Sequence, residues 1–287
     1  MQRRTFLQGL GAITLAGLAT PGCGDVSSGS QRTTPTAPQN LSPSQSQLAD
    51  GRFVFLSDGS RIELFPFQNL VRLRAADGSV LFEQAGLGVG ANQWNFPNDA
   101  SPGPDGLILV CDSGNSRVKI LDRTGLLVGV LPIGGFPGGV ASSGTNIFVS
   151  NQTENQILTF SWQGGGALAG NTFGSPGSGD GQLNTPSGMA IDPQSQLHVC
   201  DSGNHRVQVF TQSGAFVRSY RGGLTLPEKL AIDGKGLSYV ADPAESELQV
   251  FDASGGALPS FPIPAGIQPI FVSLSPDLVL WVTGAIS

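Results

Sequence analysis

The sequence predicts an all-β protein whose strands form a repeat array, a β-propeller. Glycine and proline are abundant, at 41 and 20 of 287 residues, whereas only 13% of residues are charged. Short runs of valine, isoleucine, leucine and phenylalanine recur between turn residues, which is typical of a protein with many short strands. Similar stretches also return along the chain at intervals of 40 to 49 residues. A period in this range, with four strands in each unit, indicates propeller blades.

The repeat is clearest in residues 179–220, GDGQLNTPSGMAIDPQSQLHVCDSGNHRVQVFTQSGAFVRSY. Within this unit GMAID, LHVCD, RVQVF and AFVRSY are predicted to be strands a, b, c and d of one blade. The segments between them, PQSQ, SGNH and TQSG, have the composition of turns. Equivalent stretches each open on a proline, at Pro97, Pro137, Pro186, Pro227 and Pro269.

Six blades are predicted for residues 50–287. Pairs of strands a and b are expected at 52–65, 97–111, 137–150, 186–200, 227–241 and 269–283. Five c–d hairpins are expected to turn around Gly78, Gly125, Gly164, Gly214 and Gly255. The last blade lacks a c–d hairpin, so it is expected to be incomplete or to be closed by residues 51–67, since closure removes exposed strand edges. The alternative is five blades plus an N-terminal hairpin.

The repeat unit resembles the NHL repeat, whose pattern is approximately G-x-G-x-x-P-x-G-[IV]-A-V-D, then Y-V-A-D, then N-H-R-[IV]-Q-V-F. Residues 179–220 match this pattern at Gly181, Gln182, Pro186, Gly188, Asp201, Asn204, His205, Arg206 and Phe210. Residues 90–131 match it well, and residues 137–172 and 227–262 match it more loosely. The resemblance covers about the last four-fifths of the chain and implies a propeller of NHL repeats.

Residues 1–23 are predicted to be an export signal. Arg3 and Arg4 precede an apolar stretch that is short for a membrane span. The segment RRTFL resembles a twin-arginine signal, and TPGC resembles a bacterial lipobox in which Cys23 is the lipidated residue. The alternative is an ordinary signal-peptidase cut beside Cys23.

Residues 24–49 are rich in Ser, Thr, Pro and Gln and are predicted to be a disordered linker. Together with the signal, this linker predicts an extracytoplasmic location, in the periplasm or tethered to the bacterial cell envelope as a lipoprotein. Contact with the membrane is then expected only through the N-terminal lipid.

The segments VCDSGNSRV at 110–118 and VCDSGNHRV at 199–207 are predicted to be the same b–c corner in two blades. Short polar side chains at such a corner can cap the N–H groups of the turn, and the arginines can pair with carboxylate or carbonyl groups. The residues assigned to structural turns in this way are Asp112, Arg117, Asp201, Asn204, His205, Arg206 and Asp242. No catalytic residue is predicted among them.

The remaining chemically notable side chains also occupy repeat positions. Cys111 and Cys200 align with Ala241, which predicts buried free thiols in a slot for small side chains. His198 aligns with large apolar residues and is expected to pack between blades. Trp94 aligns with a leucine and is expected to be a wedge between blades.

The resemblance to NHL propellers implies binding of protein or RNA, or lyase chemistry. Acidic residues outnumber basic ones by 21 to 15, which disfavours nucleic acid as a partner. We therefore predict a binding scaffold for an envelope protein, peptide or glycan, recognised through a loop face of b–c and d–a loops, with no cofactor.

The alternative is a lyase or a lactonase-like hydrolase at the channel mouth that uses calcium or zinc. The zinc lyases of the family use several histidines, whereas this chain has two. Calcium ligands for this alternative are sought among Asn95, Asn98, Asp99, Asn184, Asp201 and Asp242.

Overall fold

The computed structural model describes residues 10–15, 51–245, 247–263 and 267–286. Within these ranges the strands form six antiparallel sheets, five of four strands and one of three. No helix in the described ranges is long and apolar enough to span a membrane. Arg3, Arg4, Cys23 and the linker at 24–49 lie outside the described residues.

The chain begins with strand β1 (Leu10–Leu15) and continues into five four-stranded blades. The first blade contains β2 (Arg52–Phe55), β3 (Arg61–Phe65), β4 (Leu70–Arg74) and β5 (Val80–Ala85). The second contains β6 (Pro97–Pro102), β7 (Ile108–Asp112), β8 (Arg117–Leu121) and β9 (Leu127–Pro132). The third contains β10 (Pro137–Ser143), β11 (Asn146–Asn151), β12 (Gln156–Trp162) and β13 (Ala167–Phe173). The fourth contains β14 (Pro186–Ile191), β15 (Leu197–Asp201), β16 (Arg206–Phe210) and β17 (Phe216–Tyr220). The fifth contains β18 (Lys229–Ile232), β19 (Ser238–Ala241), β20 (Glu247–Phe251) and β21 (Ala257–Pro262). Short 3-10 helices lie at Pro66–Gln68, Pro104–Gly106, Ser113–Asn115 and Ser202–Asn204.

The sixth sheet is formed by β22 (Ile267–Leu274), β23 (Leu280–Ile286) and β1, in the order β1-β23-β22. The prediction of six blades, the last of them incomplete or closed by residues 51–67, is therefore wrong in its blade count, because the structure has five blades and a three-stranded sixth sheet. The expected closure by residues 51–67 is also wrong, since β2 and β3 are the first two strands of the first blade. The third strand of the sixth sheet comes instead from β1, within the segment predicted as an export signal. The five-blade alternative has the right count, but its N-terminal hairpin is part of the first blade.

The first strand of each four-stranded blade faces the centre of the molecule, and in the sixth sheet the inner strand is β22. Strands β6, β10 and β14 pack side by side, and β22 contacts both β18 and β2. The inner strands approach closely at two glycines of the repeat. A Cβ atom on Gly139 would lie 2.6 Å from the Ser187 carbonyl oxygen, and one on Gly188 would lie 2.7 Å from that of Glu228. Glycine is required at these positions because a side chain would collide with the next inner strand.

The apolar core lies between neighbouring sheets. Separate clusters of buried side chains fill the spaces between successive sheets from the first blade to the sixth sheet. Trp94 is fully buried in the first of these clusters, as its predicted wedge position requires. The five predicted c–d glycines all adopt positive φ, from 74° to 90°, which confirms the assigned turns.

Candidate functional site: the loop face and the channel mouth

The b–c loops and d–a loops lie at the same end of every sheet because consecutive strands are antiparallel. We call this end the loop face. The inner strands begin there, so the loop face also surrounds the entrance to the central channel. Two features distinguish it, a row of aromatic rings with one exposed and two half-buried members, and a group of charged side chains at the channel mouth.

The aromatic row consists of Phe67, Phe96 and Phe136. Phe67 is 74% exposed, and its ring centroid lies 5.4 Å from that of Phe96, which is 6.2 Å from that of Phe136. Phe96 has a left-handed backbone with φ of 54°, and its N–H donates to Asn69 Oδ1 at 2.8 Å. Val89 adds a further apolar side chain that is 72% exposed. Exposed aromatic residues of this kind mark binding surfaces, since each buries a large apolar area on contact.

The channel mouth holds a buried ion pair that joins the second blade to the fifth. Lys229 Nζ lies 2.6 and 2.7 Å from the two carboxylate oxygens of Asp99. Both residues lie two positions after the repeat proline, Pro97 or Pro227, where the third and fourth blades have Gly139 and Gly188. A Cβ on Gly139 would lie 3.2 Å from Asp99 Oδ2, and one on Gly188 would lie 2.8 Å from Lys229 Cδ. The two glycines therefore leave the space in which Asp99 and Lys229 meet.

Arg52 and Glu228 complete the charged group at the mouth. Arg52 Nη1 donates at 2.7 Å to both the carbonyl and the side-chain oxygen of Asn98. Burial lowers the pKa of Arg52 and raises that of the Glu228 carboxyl, and the attraction between these two groups opposes both shifts. No described residue donates a hydrogen bond to the Glu228 carboxylate. Among the described residues, Glu228 is thus the half-buried acidic group at the mouth whose carboxylate has no hydrogen-bond donor.

The predicted turn residues of the fourth blade form one hydrogen-bonded hub around Asp201. Its Oδ1 accepts from the backbone N–H of Asn184 at 2.7 Å, and its Oδ2 accepts from Arg206 Nε at 2.7 Å and Gln208 Nε2 at 2.9 Å. Asn204 Nδ2 donates to the same carboxylate and, at 2.8 Å, to the carbonyl of Gly177. The hub holds the d–a loop against the b–c turn.

In the second and fifth blades, an aspartate equivalent to Asp201 also accepts a hydrogen bond from the d–a loop. Asp112 accepts from the N–H of Asn95 at 2.7 Å and from Arg117 Nε at 2.7 Å. Asp242 accepts from the N–H of Thr225 at 2.6 Å. In each of these blades the acceptor lies 17 residues after the donor, so the arrangement is a property of the repeat.

The histidines and internal cysteines are surrounded by structural partners. His205 has φ of 56° and hydrogen-bonds the carbonyl of Thr225 in the following loop. His198 is buried between Asp192, 3.1 Å from its Nε2, and Tyr220, 3.0 Å from its Nδ1, and burial lowers its pKa. Cys111 and Cys200 are buried free thiols, as predicted, and burial raises the pKa of both well above the ordinary value. A raised pKa disfavours the reactive thiolate.

The candidate calcium ligands do not converge. Asn98 and Asp99 lie at the channel mouth, whereas Asn95, Asn184, Asp201 and Asp242 lie in the turns just described. Within the described ranges, no group of three or more His, Cys, Asp or Glu side chains is arranged to hold a metal ion. A cation at the mouth would also have to compete with Lys229 for the Asp99 carboxylate.

Sequence reasoning missed Arg52, Glu228, Lys229 and Phe271 as residues of the mouth. The Lys229 ammonium lies 5.0 Å from the centroid of the Phe271 ring, and Arg52 lies 5.8 Å from it. Three residues at the mouth could have been identified from their departure from the repeat pattern. Where the pattern has glycine two residues after proline, this chain has Asp99, Lys229 and Phe271.

Comparison with known proteins supports the NHL assignment for part of the chain. Residues 183–210 match the NHL repeat family model, within the fourth blade. A segment of the chain is 46% identical over 46 residues to Protein lin-41 of Caenorhabditis elegans, which is 16% of this chain and 4% of that protein. The chain is also 45% identical over 49 residues to the E3 ubiquitin-protein ligase TRIM71 of Bos taurus, 17% of this chain and 6% of that protein. The chain thus spans only a small part of these relatives and shares a repeat with them.

Solved structures match the described fold over most of the chain. Virginiamycin B lyase from Staphylococcus aureus has a TM-score of 0.61 at 14% identity, with 82% of this chain and 80% of that chain covered. A gluconolactonase from Xanthomonas campestris has a TM-score of 0.59 at 16% identity, covering 82% and 86%. A chain of a nidogen/laminin complex has a TM-score of 0.61 at 14% identity, covering 96% and 98%. At these identities the likeness establishes the β-propeller fold alone.

Proposed function

We propose that this protein is an extracytoplasmic binding scaffold that captures a protein or peptide partner through its loop face. The observation that carries the proposal is the aromatic row on the loop face, in which the exposed Phe67 ring packs against the half-buried rings of Phe96 and Phe136. Aromatic side chains are enriched among the residues that dominate binding energy at protein interfaces. The matching repeat also occurs in an E3 ubiquitin-protein ligase, a class of enzyme that acts on proteins.

The metal-dependent enzyme has less support as an alternative. Its structural neighbours include a lyase and a gluconolactonase, but the likeness extends to the fold alone. Asp99, the carboxylate best placed for a metal at the mouth, is paired with Lys229. Glu228 is the remaining group suited to proton transfer there, since burial raises its pKa.

Replacing Phe67 with serine should weaken partner capture about tenfold or more with little change in stability. Phe67 is 74% exposed, so its removal costs few intramolecular contacts, whereas an aromatic anchor commonly contributes more than 1.4 kcal/mol to binding. The measurement is capture from a cell-envelope extract by the immobilised propeller, with each captured protein quantified by mass spectrometry and then titrated in purified form.

Leu168→Ser is the matched control, because Leu168 is 64% exposed on the outer strand β13, away from the loop face. A partner that binds wild type and both variants equally would contradict the loop-face proposal. Equal loss in both variants would contradict it as well, since the effect would then not depend on position.

The proposed location outside the cytoplasm rests on the N-terminal sequence. Changing Arg3 and Arg4 together to lysine should retain the precursor inside the cell, because a twin-arginine signal depends on the arginine pair. Fractionation followed by immunoblotting measures this, and a Cys23→Ala variant separates lipid tethering from export. Normal export of the double-lysine variant would contradict the twin-arginine route, and membrane association of the Cys23→Ala variant would contradict the lipid tether.

A further inference from the structure

A cavity of about 610 Å³ opens between the first blade and the sixth sheet, on the face opposite to the loop face. It is bordered by the a–b turns of both sheets and by Ala76 in the c–d turn of the first blade. Its volume lies within the range of about 300–1,000 Å³ that is usual for small-molecule sites. None of its residues belongs to the aromatic row or to the channel mouth, so it is a separate site.

Two aromatic rings form part of the cavity wall. The centroid of the half-buried Trp281 ring lies 5.2 Å from that of Phe55, which also lines the cavity. The Trp281 ring also packs edge-on against the buried Phe53 ring, with 5.9 Å between the two centroids. No described residue accepts a hydrogen bond from the Trp281 indole nitrogen. The wall therefore combines a flat apolar surface with a free N–H donor.

The charged residues around the cavity already have partners within the protein. Arg61 Nε lies 2.9 Å from Glu63 Oε1, and the fully buried Glu63 also pairs with Arg72 and Arg74. Asp58 accepts from the N–H of Ser60 at 3.0 Å and pairs with Arg123. Asp277 accepts from the hydroxyl of Ser275. Arg61 and Asp58 are each paired with an opposite charge, whereas Asp277 is bonded to a neutral hydroxyl, and all three keep lone pairs or N–H bonds for further hydrogen bonding.

The presence of both carboxylates and a guanidinium in the lining disfavours an ionic ligand. An anion would face the carboxylates of Asp58 and Asp277, which line the same cavity. A cation would meet Arg61, whose guanidinium carbon lies 6.0 Å from the centroid of the Trp281 ring. A neutral ligand avoids both costs. Its hydroxyl groups can donate hydrogen bonds to the carboxylates and accept hydrogen bonds from the guanidinium.

We propose that this cavity binds a neutral sugar unit, free or at the end of a glycan. A sugar ring presents a face of C–H groups, which matches the Trp281 and Phe55 surface, and hydroxyl groups at its edge, which match Asp58, Asp277 and Arg61. The site is independent of the loop face, so the scaffold can hold a protein and a glycan at opposite ends of the propeller.

Tryptophan fluorescence of the whole chain tests the site directly. The chain has three tryptophans, and Trp94 and Trp162 are buried, so Trp281 is the one whose environment a ligand in the cavity changes. Titration with glucose, galactose, N-acetylglucosamine and their short oligomers should give a saturable spectral change with at least one of them. Trp281→Phe should abolish the change. A panel without any saturable response would overturn the proposal.

A second variant, which blocks the cavity, tests the site even if the Trp281 variant misfolds. Ala76 is exposed at the cavity rim, and Ala76→Phe should lower sugar affinity at least about tenfold in calorimetry, a loss of about 1.4 kcal/mol. Ala253→Phe is the matched control, because Ala253 occupies the same turn position in the fifth blade and should bind normally. Phe67→Ser should also bind normally, which separates this site from the loop face. Equal affinity in the Ala76 and Ala253 variants, or displacement of the sugar by inorganic phosphate or choline, would overturn the proposal.

Discussion

Replacing Asp99 with alanine is expected to lower the free energy of unfolding by about 3–5 kcal/mol. The Lys229 ammonium would keep its place inside the channel but lose both oxygens that now lie 2.6 and 2.7 Å away. An unpaired charge in this position is costly because only a small part of the lysine is in contact with water. The N–H of Val140, which donates to Asp99 Oδ2 at 3.1 Å, would lose its acceptor as well.

Urea denaturation of the purified chain measures this loss. The double change Asp99→Leu and Lys229→Met should recover most of the stability, because removing both charges leaves no unpaired group. Glu154→Ala is a suitable control, since Glu154 is exposed and should change stability by no more than about 0.5 kcal/mol. A loss of less than about 1 kcal/mol for Asp99→Ala would show that water or another group replaces the carboxylate.

Replacing Asp201 with alanine is expected to have an effect of similar size, about 3–5 kcal/mol. Arg206 is 2% exposed and would lose the carboxylate that lies 2.7 Å from its Nε. The N–H of Asn184 and the side-chain amides of Asn204 and Gln208 would lose the same acceptor. The loop from Gly177 to Asn184 would then be held by fewer bonds, so its amide hydrogens should also exchange faster.

Asp112→Ala provides the comparison in the second blade. Its partner Arg117 has a side chain that is 17% exposed and can be solvated when the carboxylate is removed. Lys119, 4.0 Å from Asp112, keeps bonds to the carbonyls of Gly90, Ala91 and Gln93. The loss of stability should therefore be smaller than for Asp201→Ala. A larger loss in the second blade would show that burial of the arginine does not set the cost.

The sequence by itself determined the repeat and the local conformation within each blade. The c–d glycines lie in the predicted turns, and prolines open the inner strands of the second, third and fourth blades. Asp112, Asp201 and Asp242 lie at or directly after the ends of the b strands, as the pattern predicts. These features are predictable because they depend on short-range interactions. A left-handed glycine, a proline without an N–H and an aspartate that caps a nearby loop act within about 20 residues of chain.

Part of the candidate site could also be predicted from the repeat pattern. Asp99, Lys229 and Phe271 replace the glycine of the repeat pattern, and such departures identify positions where the channel differs between blades. Phe67 could be placed in a b–c loop, but its exposure depends on which neighbouring loops cover it. The sequence therefore indicated positions but not contacts.

Only the tertiary structure decided how the ends of the array meet and which side chains face each other across the centre. The Asp99–Lys229 pair joins residues 130 positions apart, and no local pattern specifies which blade lies opposite another. The three-stranded sixth sheet depends on pairing between Leu10–Leu15 and Leu280–Ile286, the most distant strands in the chain. The cavity beside Trp281 exists because the first blade and the sixth sheet meet through aromatic and charged side chains. These features arise from ring closure, since closure brings together surfaces that have no fixed relation along the sequence.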